Sequence, residues 1–254
     1  MSDLTKLATQ LISNGPHKLE ITPRRVRVLF NGKYVADTLS PRHVWEHPFY
    51  PAFYIASSDI TPGVLTTGKS IDGTDGGASL GQVKVGSKQT DRVLIFNKGP
   101  LEGLVRLDFS AMDSWFEEDT PIYVHPKDPY KRVDILPSNR HVRVVIDGVT
   151  VAESSTSMHL HETGLPVRYY LPATAVNYAL TRPSDTASYC PYKGKASYYS
   201  IVLPDGATHK DIVWYYTYPT HECAAVAGHV CFYNEKVDTY LDGKLLERPK
   251  THFA

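Results

Sequence analysis

Arg24-Arg-Val-Arg-Val-Leu-Phe-Asn-Gly-Lys-Tyr-Val-Ala-Asp37 and Arg140-His-Val-Arg-Val-Val-Ile-Asp-Gly-Val-Thr-Val-Ala-Glu153 are one pattern written twice, 116 positions apart. In each copy apolar residues alternate with polar ones, which is the period of a half-buried strand. Asn31-Gly32 and Asp147-Gly148 then supply the two positive-φ residues of a tight hairpin turn, and a second strand returns. The match holds without a gap from Arg24 to Ile60. His43 falls on His159, Glu46 on Glu162 and Tyr54 on Tyr170. Farther along, Phe116, Glu118 and Tyr123 fall near Tyr233, Glu235 and Tyr240 with one residue of slippage. Such self-similarity is a tandem duplication. Residues kept in both copies serve the fold; residues found in one copy are better candidates for a specialised site.

The chain has 254 residues, which the repeat divides into two domains of roughly 110 residues each. A domain of that size buries enough surface to fold without disulfides or metals. Lys+Arg and Asp+Glu both total 27, so the charge footprint of a nucleic-acid binder is missing. No apolar run reaches the length of a membrane span, and the first residues lack a signal-peptide pattern. The three cysteines, Cys190, Cys223 and Cys231, all lie in the second half. An odd, sparse set fits a reducing compartment, so a cytoplasmic location is expected. Tyrosine outnumbers phenylalanine 17 to 8, and a polar tip on an apolar body suits both sheet faces and ligand pockets.

Residues 3–13 read as a short helix, with Leu4, Leu7, Ala8 and Leu11 at helical spacing and Asn14-Gly15 as the stop. The remainder reads as antiparallel strands, with further turn signals at Asp205-Gly206 and Asp242-Gly243. Ser110 to Glu118 reads as a second short helix with Ser110 as N-cap, and Glu222–Gly228 as its shorter counterpart. Residues 66–90, rich in Gly, Ser, Thr and Asp, read as a mobile surface loop. The domain junction is expected near Lys131–Ser138, with Pro137 helping to end one unit. The expected divisions are an extension at 1–22, a first repeat at 23–134 and a second at 135–254.

The second half carries Asp185-Thr-Ala-Ser-Tyr-Cys-Pro-Tyr-Lys-Gly-Lys-Ala-Ser-Tyr-Tyr-Ser200, preceded by Glu162-Thr-Gly-Leu-Pro-Val-Arg-Tyr-Tyr-Leu-Pro172. It is followed by Ala227-Gly228 and Phe232-Tyr-Asn-Glu-Lys-Val-Asp238, and Val124 to Asp134 joins the copies. Together these resemble the family called domain of unknown function 427, in its tandem two-copy form. The resemblance implies an all-β protein of two β-tent-like domains, each with antiparallel sheets meeting over a pocket, plus the N-terminal helix and one or two short helices. Many β-tent relatives hold zinc with paired Cys-x-x-Cys knuckles; this chain has none, so that site is expected to be absent. A nucleotidyltransferase label also attaches to the family, but no Gly-Ser followed by paired aspartates is present to hold magnesium.

Cys190-Pro-Tyr-Lys-Gly is the strongest candidate site. Its gapless counterpart in the first copy is the Gly-rich stretch near Thr74–Ala78, so the motif belongs to the second copy alone. A lysine three residues from a thiol, across a proline-constrained turn, can activate it as a nucleophile. The structural alternative is a small buried cysteine with Lys193 bracing the turn. Glu162, Arg168, Tyr169 and Tyr170 form a second constellation that either orients a polar substrate or pairs internally. Arg168 has no twin, since Ala52 stands at its place, whereas Glu162 has Glu46. His221-x-Cys223 and His229-x-Cys231 have the ligand types for zinc but lie in one short stretch, and no metal is expected. Tyr198, Tyr199, Trp214, Tyr215, Tyr216 and Tyr218 form an aromatic stripe, part core and part pocket wall.

The expectation is a small-molecule pocket in the second domain, with the first as a degenerate scaffold. Cys190 would be the nucleophile, Lys193 its activator and Tyr198 a proton donor. Glu162, Arg168, Tyr170, Tyr192 and Trp214 would bind the substrate, with Arg168 as anchor. No cofactor, nucleic acid or membrane partner is expected, and the sequence is silent on oligomeric state. The alternative is a non-catalytic module that binds a metabolite or peptide through the aromatic pocket or a cleft between the domains.

Overall fold

The computed structural model describes residues 2–251; residues 1 and 252–254, which fall within the outer expected divisions, lie outside the described residues. The chain separates into two units, Met1–Asp128 and Pro129–Ala254.

Helix α1 (Ser2–Asn14) opens the first unit. The strands β1 (Lys18–Ile21), β2 (Val26–Phe30), β3 (Lys33–Thr38), β4 (Arg42–His47), β5 (Tyr50–Ala56) and β6 (Leu65–Ser70) follow. The unit continues with β7 (Ala78–Val85), β8 (Lys88–Phe96), β9 (Leu104–Leu107), β10 (Ser114–Glu117) and β11 (Thr120–Ile122). The second unit has β12 (Val133–Ser138), β13 (Val142–Ile146), β14 (Val149–Ser154), β15 (Ser157–Glu162), β16 (Arg168–Pro172) and β17 (Thr181–Cys190). It ends with β18 (Gly194–Val202), β19 (Thr208–Pro219), β20 (His229–Phe232), β21 (Asp238–Leu241) and β22 (Lys244–Leu245).

The duplication is exact in topology. The first unit pairs β1-β4-β5-β9-β8-β7-β6 in one seven-stranded antiparallel sheet, and the second pairs β12-β15-β16-β20-β19-β18-β17. The small sheets match as well, β11-β10-β2-β3 against β14-β13-β21-β22. Even the irregularity repeats: the β2–β3 ladder slips at Val28/Leu29 and the β13–β14 ladder at Val144/Val145. The hairpin turns follow the sequence expectation, since Asn31, Gly32, Asp147 and Gly148 all have positive φ. This is the all-β architecture of paired antiparallel sheets that the β-tent resemblance implied.

Each large sheet has two buried faces, because alternate residues point to opposite sides. In the first unit Val26, Val28 and Phe30 meet Phe53, Ile55, Val93 and Val105 between the two sheets. In the second, Val142, Val144 and Ile146 meet Leu171, Val213, Val230 and Phe232. The opposite face of each large sheet is where the copies diverge. In the first unit α1 lies on it, burying Leu4, Ala8 and Leu11 against Tyr54, Leu94 and Phe96. In the second unit that face carries Tyr170, Tyr198, Trp214, Tyr216 and Cys231.

Three sequence expectations are corrected. Residues 66–90 are not a mobile loop but β6, β7 and the start of β8. The turn joining β6 to β7 is held by buried Thr74, whose Oγ donates to the Ile71 carbonyl at 2.6 Å. Gly81 sits within β7 because a Cβ there would come within 2.8 Å of Val93. The glycines mark close packing here rather than looseness. The stretch from Ser110 to Glu118 is not a helix; a 3₁₀ turn at Phe109–Ala111 leads into β10. Asp108, not Ser110, caps that turn, accepting from the Ser110 backbone N–H at 3.1 Å. Pro137 does not end a unit; it lies inside β12, opposite Met158, on the edge of the sheet where a missing N–H is tolerated.

Candidate functional site

The β17–β18 hairpin closes on Pro191-Tyr192-Lys193, with Cys190 paired to Gly194 across the turn. Gly194 has φ +102, and a Cβ there would press on the Tyr218 carbonyl at 3.1 Å, so glycine is required where the turn re-enters the sheet. The turn is tied to the chain beyond β19: Thr220 N–H donates to the Lys193 carbonyl at 3.0 Å, and the Thr220 hydroxyl to the Tyr192 carbonyl at 2.5 Å.

Lys193 is 8% exposed, and its ammonium forms an ion pair with Glu162. Its Nζ lies 3.9 Å from the Cys190 sulfur. Burial opposes the charge on Lys193, but the neighbouring Cys190 sulfur and Glu162 carboxylate outweigh it, and its pKa is raised. Lys131 adds a second ammonium 3.4 Å from Glu162 and 5.4 Å from the Tyr192 ring centre. Two ammonium groups thus share one buried carboxylate beside a half-buried thiol.

The other two thiols differ. Cys223 is fully buried, burial raises its pKa, and its sulfur lies 3.4 Å from the Tyr192 carbonyl. Cys231 is enclosed in β20, and burial pushes its thiol up to about 12. Both belong to the apolar packing of the site face.

Arg168 is held differently from the substrate anchor that its lack of a twin suggested. It makes two 2.6 Å bonds to Glu235 and a third contact to Asn234, and it lies over the Trp214 ring at 5.5 Å. Thr251 donates to the same Glu235 at 2.6 Å. Trp214 in turn donates its indole N–H to the Tyr170 hydroxyl at 3.0 Å, and Tyr170 is fully buried. Tyr198 is 8% exposed and shares a 2.6 Å hydrogen bond with Ser188. The structure therefore brings the sequence candidates together on one sheet face but in two groups. Cys190, Tyr192, Lys193 and Glu162 meet at the hairpin turn. Arg168, Tyr170 and Trp214 form an internal chain that ends on Glu235.

Sequence reasoning missed Lys131, Asn234 and Glu235 as members of these groups. Glu235 carried a signal, because it falls near Glu118 in the repeat, and Glu162 carried another through Glu46. In the first unit Glu46 is bound by Arg106 at 2.6 Å and by the Tyr54 hydroxyl at 3.1 Å. Arg106 stands opposite Tyr54 in the ladder as Cys231 stands opposite Tyr170. The retained carboxylate keeps a cation in both copies, but the cation comes from a strand in one and from the hairpin turn in the other.

Two clefts of the second unit lie away from the turn. One, of about 260 Å³, is lined by Pro166, Val167, Tyr169, Asn234, Leu246 and Pro249. The other, of about 450 Å³, lies at the bulge in β17, between Ser184, Thr186, Ser200 and Lys210. His221, Cys223, His229 and Cys231 do not converge, and among the described residues no group of three or more His, Cys, Asp or Glu side chains is placed to hold a metal ion. No described helix is long and apolar enough to cross a membrane.

Residues 18–117 and 134–243 each match one family model, described as a domain of unknown function (DUF427). No curated protein matches the chain.

Proposed function

The chain belongs to the DUF427 family in both of its repeats, and on that premise we propose that the second unit is the working copy, a small-molecule site in which Cys190 is the nucleophile. One observation carries the reading: the Lys193 ammonium, fixed by Glu162, lies 3.9 Å from the Cys190 sulfur. A buried cation in that position stabilises negative charge on sulfur as it attacks an electrophile. Glu162 is a positioning residue that keeps the ammonium in place. Lys131 supplies the second positive charge that makes the cluster cationic before the thiol ionises. Tyr198 stands on the same sheet face as the proton donor, and Tyr192 is buried in the turn with the Lys131 ammonium over its ring. Arg168, Tyr170 and Trp214 support the site from within the sheet. Three unpaired cysteines suit a reducing compartment such as the cytoplasm.

A panel of small carbonyl electrophiles followed by intact-protein mass tests this. Adducts on Cys190, slowed in Lys193→Ala and lost in Cys190→Ser, are expected. Equal labelling of the Cys190→Ser protein would overturn the reading.

One observation favours a non-catalytic binding module as the second reading. The 260 Å³ cleft joins apolar walls to three polar side chains, Asn234, Thr239 and Glu247, and it does not include Cys190. A ligand that stabilises the Cys190→Ser protein as fully as the wild type would select it.

A further inference from the structure

Cys223 has no role in the nucleophile described above, yet it is placed against the same turn. Its sulfur lies 3.4 Å from the Tyr192 carbonyl, while the Cys190 sulfur lies 3.9 Å from the Lys193 ammonium. The two thiols therefore flank the three-residue turn Pro191–Lys193. The turn thus joins the two thiols through adjacent residues, Cys190 through the Lys193 ammonium and Cys223 through the Tyr192 carbonyl. Neither thiol lies in the middle of a strand. Cys190 is the last residue of edge strand β17, and Cys223 sits at the non-helical kink (φ −109°, ψ 16°) of the 3₁₀ segment His221–Val226. Thr220, which tethers that segment to the turn, bonds both the Tyr192 and the Lys193 carbonyls. Cys231, by contrast, is locked in the middle of the sheet between β16 and β19.

We infer that Cys190 and Cys223 form a two-thiol site that reduces small hydroperoxides, with Cys190 attacking and Cys223 resolving. This rests on the reading of Cys190 as a nucleophile and names the electrophile it takes. In the first step the Cys190 thiolate attacks one peroxide oxygen. The O–O bond breaks, an S–O bond forms, and the departing hydroxide or alkoxide takes up a proton. Sulfur loses two electrons and the peroxide gains them, leaving Cys190 as a sulfenic acid. In the second step the Cys223 sulfur attacks the sulfenic sulfur. An S–S bond forms, the S–O bond breaks, and the Cys223 proton leaves with the oxygen as water. An external dithiol then reduces the disulfide and closes the cycle.

The surroundings set the order of the steps. Cys190 is the partly exposed thiol and has the ammonium beside it, so it meets the peroxide. Cys223 is buried, and burial raises its pKa. A smaller thiolate fraction makes resolution the slower step, so the sulfenic acid persists long enough to be trapped. The first unit has no cysteine at all, which confines the activity to the second copy.

The test is hydrogen peroxide treatment of the full chain, followed by intact mass and peptide mapping with and without a sulfenic-acid trap such as dimedone. The wild type is expected to lose two hydrogens and yield a linked Cys190–Cys223 peptide. Cys223→Ser should stop at a trapped sulfenic acid on Cys190, Cys190→Ser should give neither product, and Cys231→Ser should match the wild type. Lys193→Ala should slow the first step by about tenfold. A wild type that over-oxidises Cys190 as Cys223→Ser does, with no linked peptide, would overturn the inference. If the linked peptide is absent but carbonyl electrophiles still label Cys190 rapidly, this inference alone falls. A Cys190 inert to both reagents removes the nucleophile reading as well.

Discussion

The two copies cover the same sheet face by opposite means. In the first unit α1 seals the face with Leu4, Ala8 and Leu11, beside a single carboxylate, Glu46, answered by Arg106. Gly77 lets the helix approach, since a Cβ there would lie 2.9 Å from the Ile12 side chain. In the second unit several of the matching positions carry larger aromatic side chains. The ladder registers place Trp214 where the first unit has Leu94, and Tyr198 where it has Leu80. Among the described residues no counterpart of α1 lies in that aromatic cluster; the 3₁₀ segment His221–Val226 packs there through buried Cys223 and Val226, with charged pairs beside it. An apolar face needs only an apolar lid. A face of buried charges needs each charge answered, and such networks are costly when one member is lost. The second face thus departs from what stability alone favours, which is where function is expected.

The sharpest way to break the contrast is to remove one ion. Arg168→Ala leaves Glu235 buried without its cation, and a loss of about 3–5 kcal/mol is expected in denaturant unfolding. Arg168→Met should leave the same carboxylate unanswered, so it should rescue little. If both variants unfold like the wild type, the buried pair is not what holds this face.

The matching cut in the first unit is Leu11→Ala. Leu11, on the buried face of α1, is 1% exposed, so the truncation should cost about 3 kcal/mol. The loss should appear in the unfolding of the first unit alone, with the alkylation rate of Cys190 unchanged. A changed Cys190 rate would couple faces that the comparison treats as separate.

The histidine twins differ in their response to pH. His43 is 4% exposed, stacks on Phe53 and has an unpartnered Nε2; burial lowers its pKa to about 4. Its neutral form is the folded one, so its contribution is present above the ordinary value near 6.5. That contribution falls away as pH drops from there to about 4, a loss of about 3 kcal/mol. His159 is lowered for the same first reason, burial, but has Ser157 at 3.1 Å as a partner. Denaturant melts between pH 7 and 4 should show His43→Phe flattening the slope more than His159→Phe. Equal slopes would remove the distinction. The smallest effect is expected at Gly77→Ala, about 1–3 kcal/mol, because the new methyl group meets both Ile12 and the Thr74 carbonyl.

Much of the fold was legible because duplication and turn chemistry are local signals. Asn31-Gly32 and Asp147-Gly148 each announce a hairpin within a few residues. The stretch 66–90 was misread because its glycines are selected by neighbours far along the chain, such as Val93 beside Gly81. Trp115 and Glu117 alternate as a strand should, while the capping residues before them belong to a 3₁₀ turn and so resemble a helix start. At the site, Cys190 and Lys193 were readable because they share one turn. The partner of Arg168 was not, since Glu235 lies 67 residues away and only the folded sheet brings the two together. Glu46 and Glu162 held the missing clue: a carboxylate kept in both copies must be answered in both.

The most direct test of the account is the rate of iodoacetamide alkylation at each cysteine of the intact protein at neutral pH, for the wild type and Lys193→Ala. The account predicts Cys190 reacting about tenfold faster than a free thiol and slowing to the free-thiol rate in the variant, while Cys223 and Cys231 stay unreactive in both. A Cys190 that reacts no faster than a free thiol, and indifferently to Lys193, would contradict it.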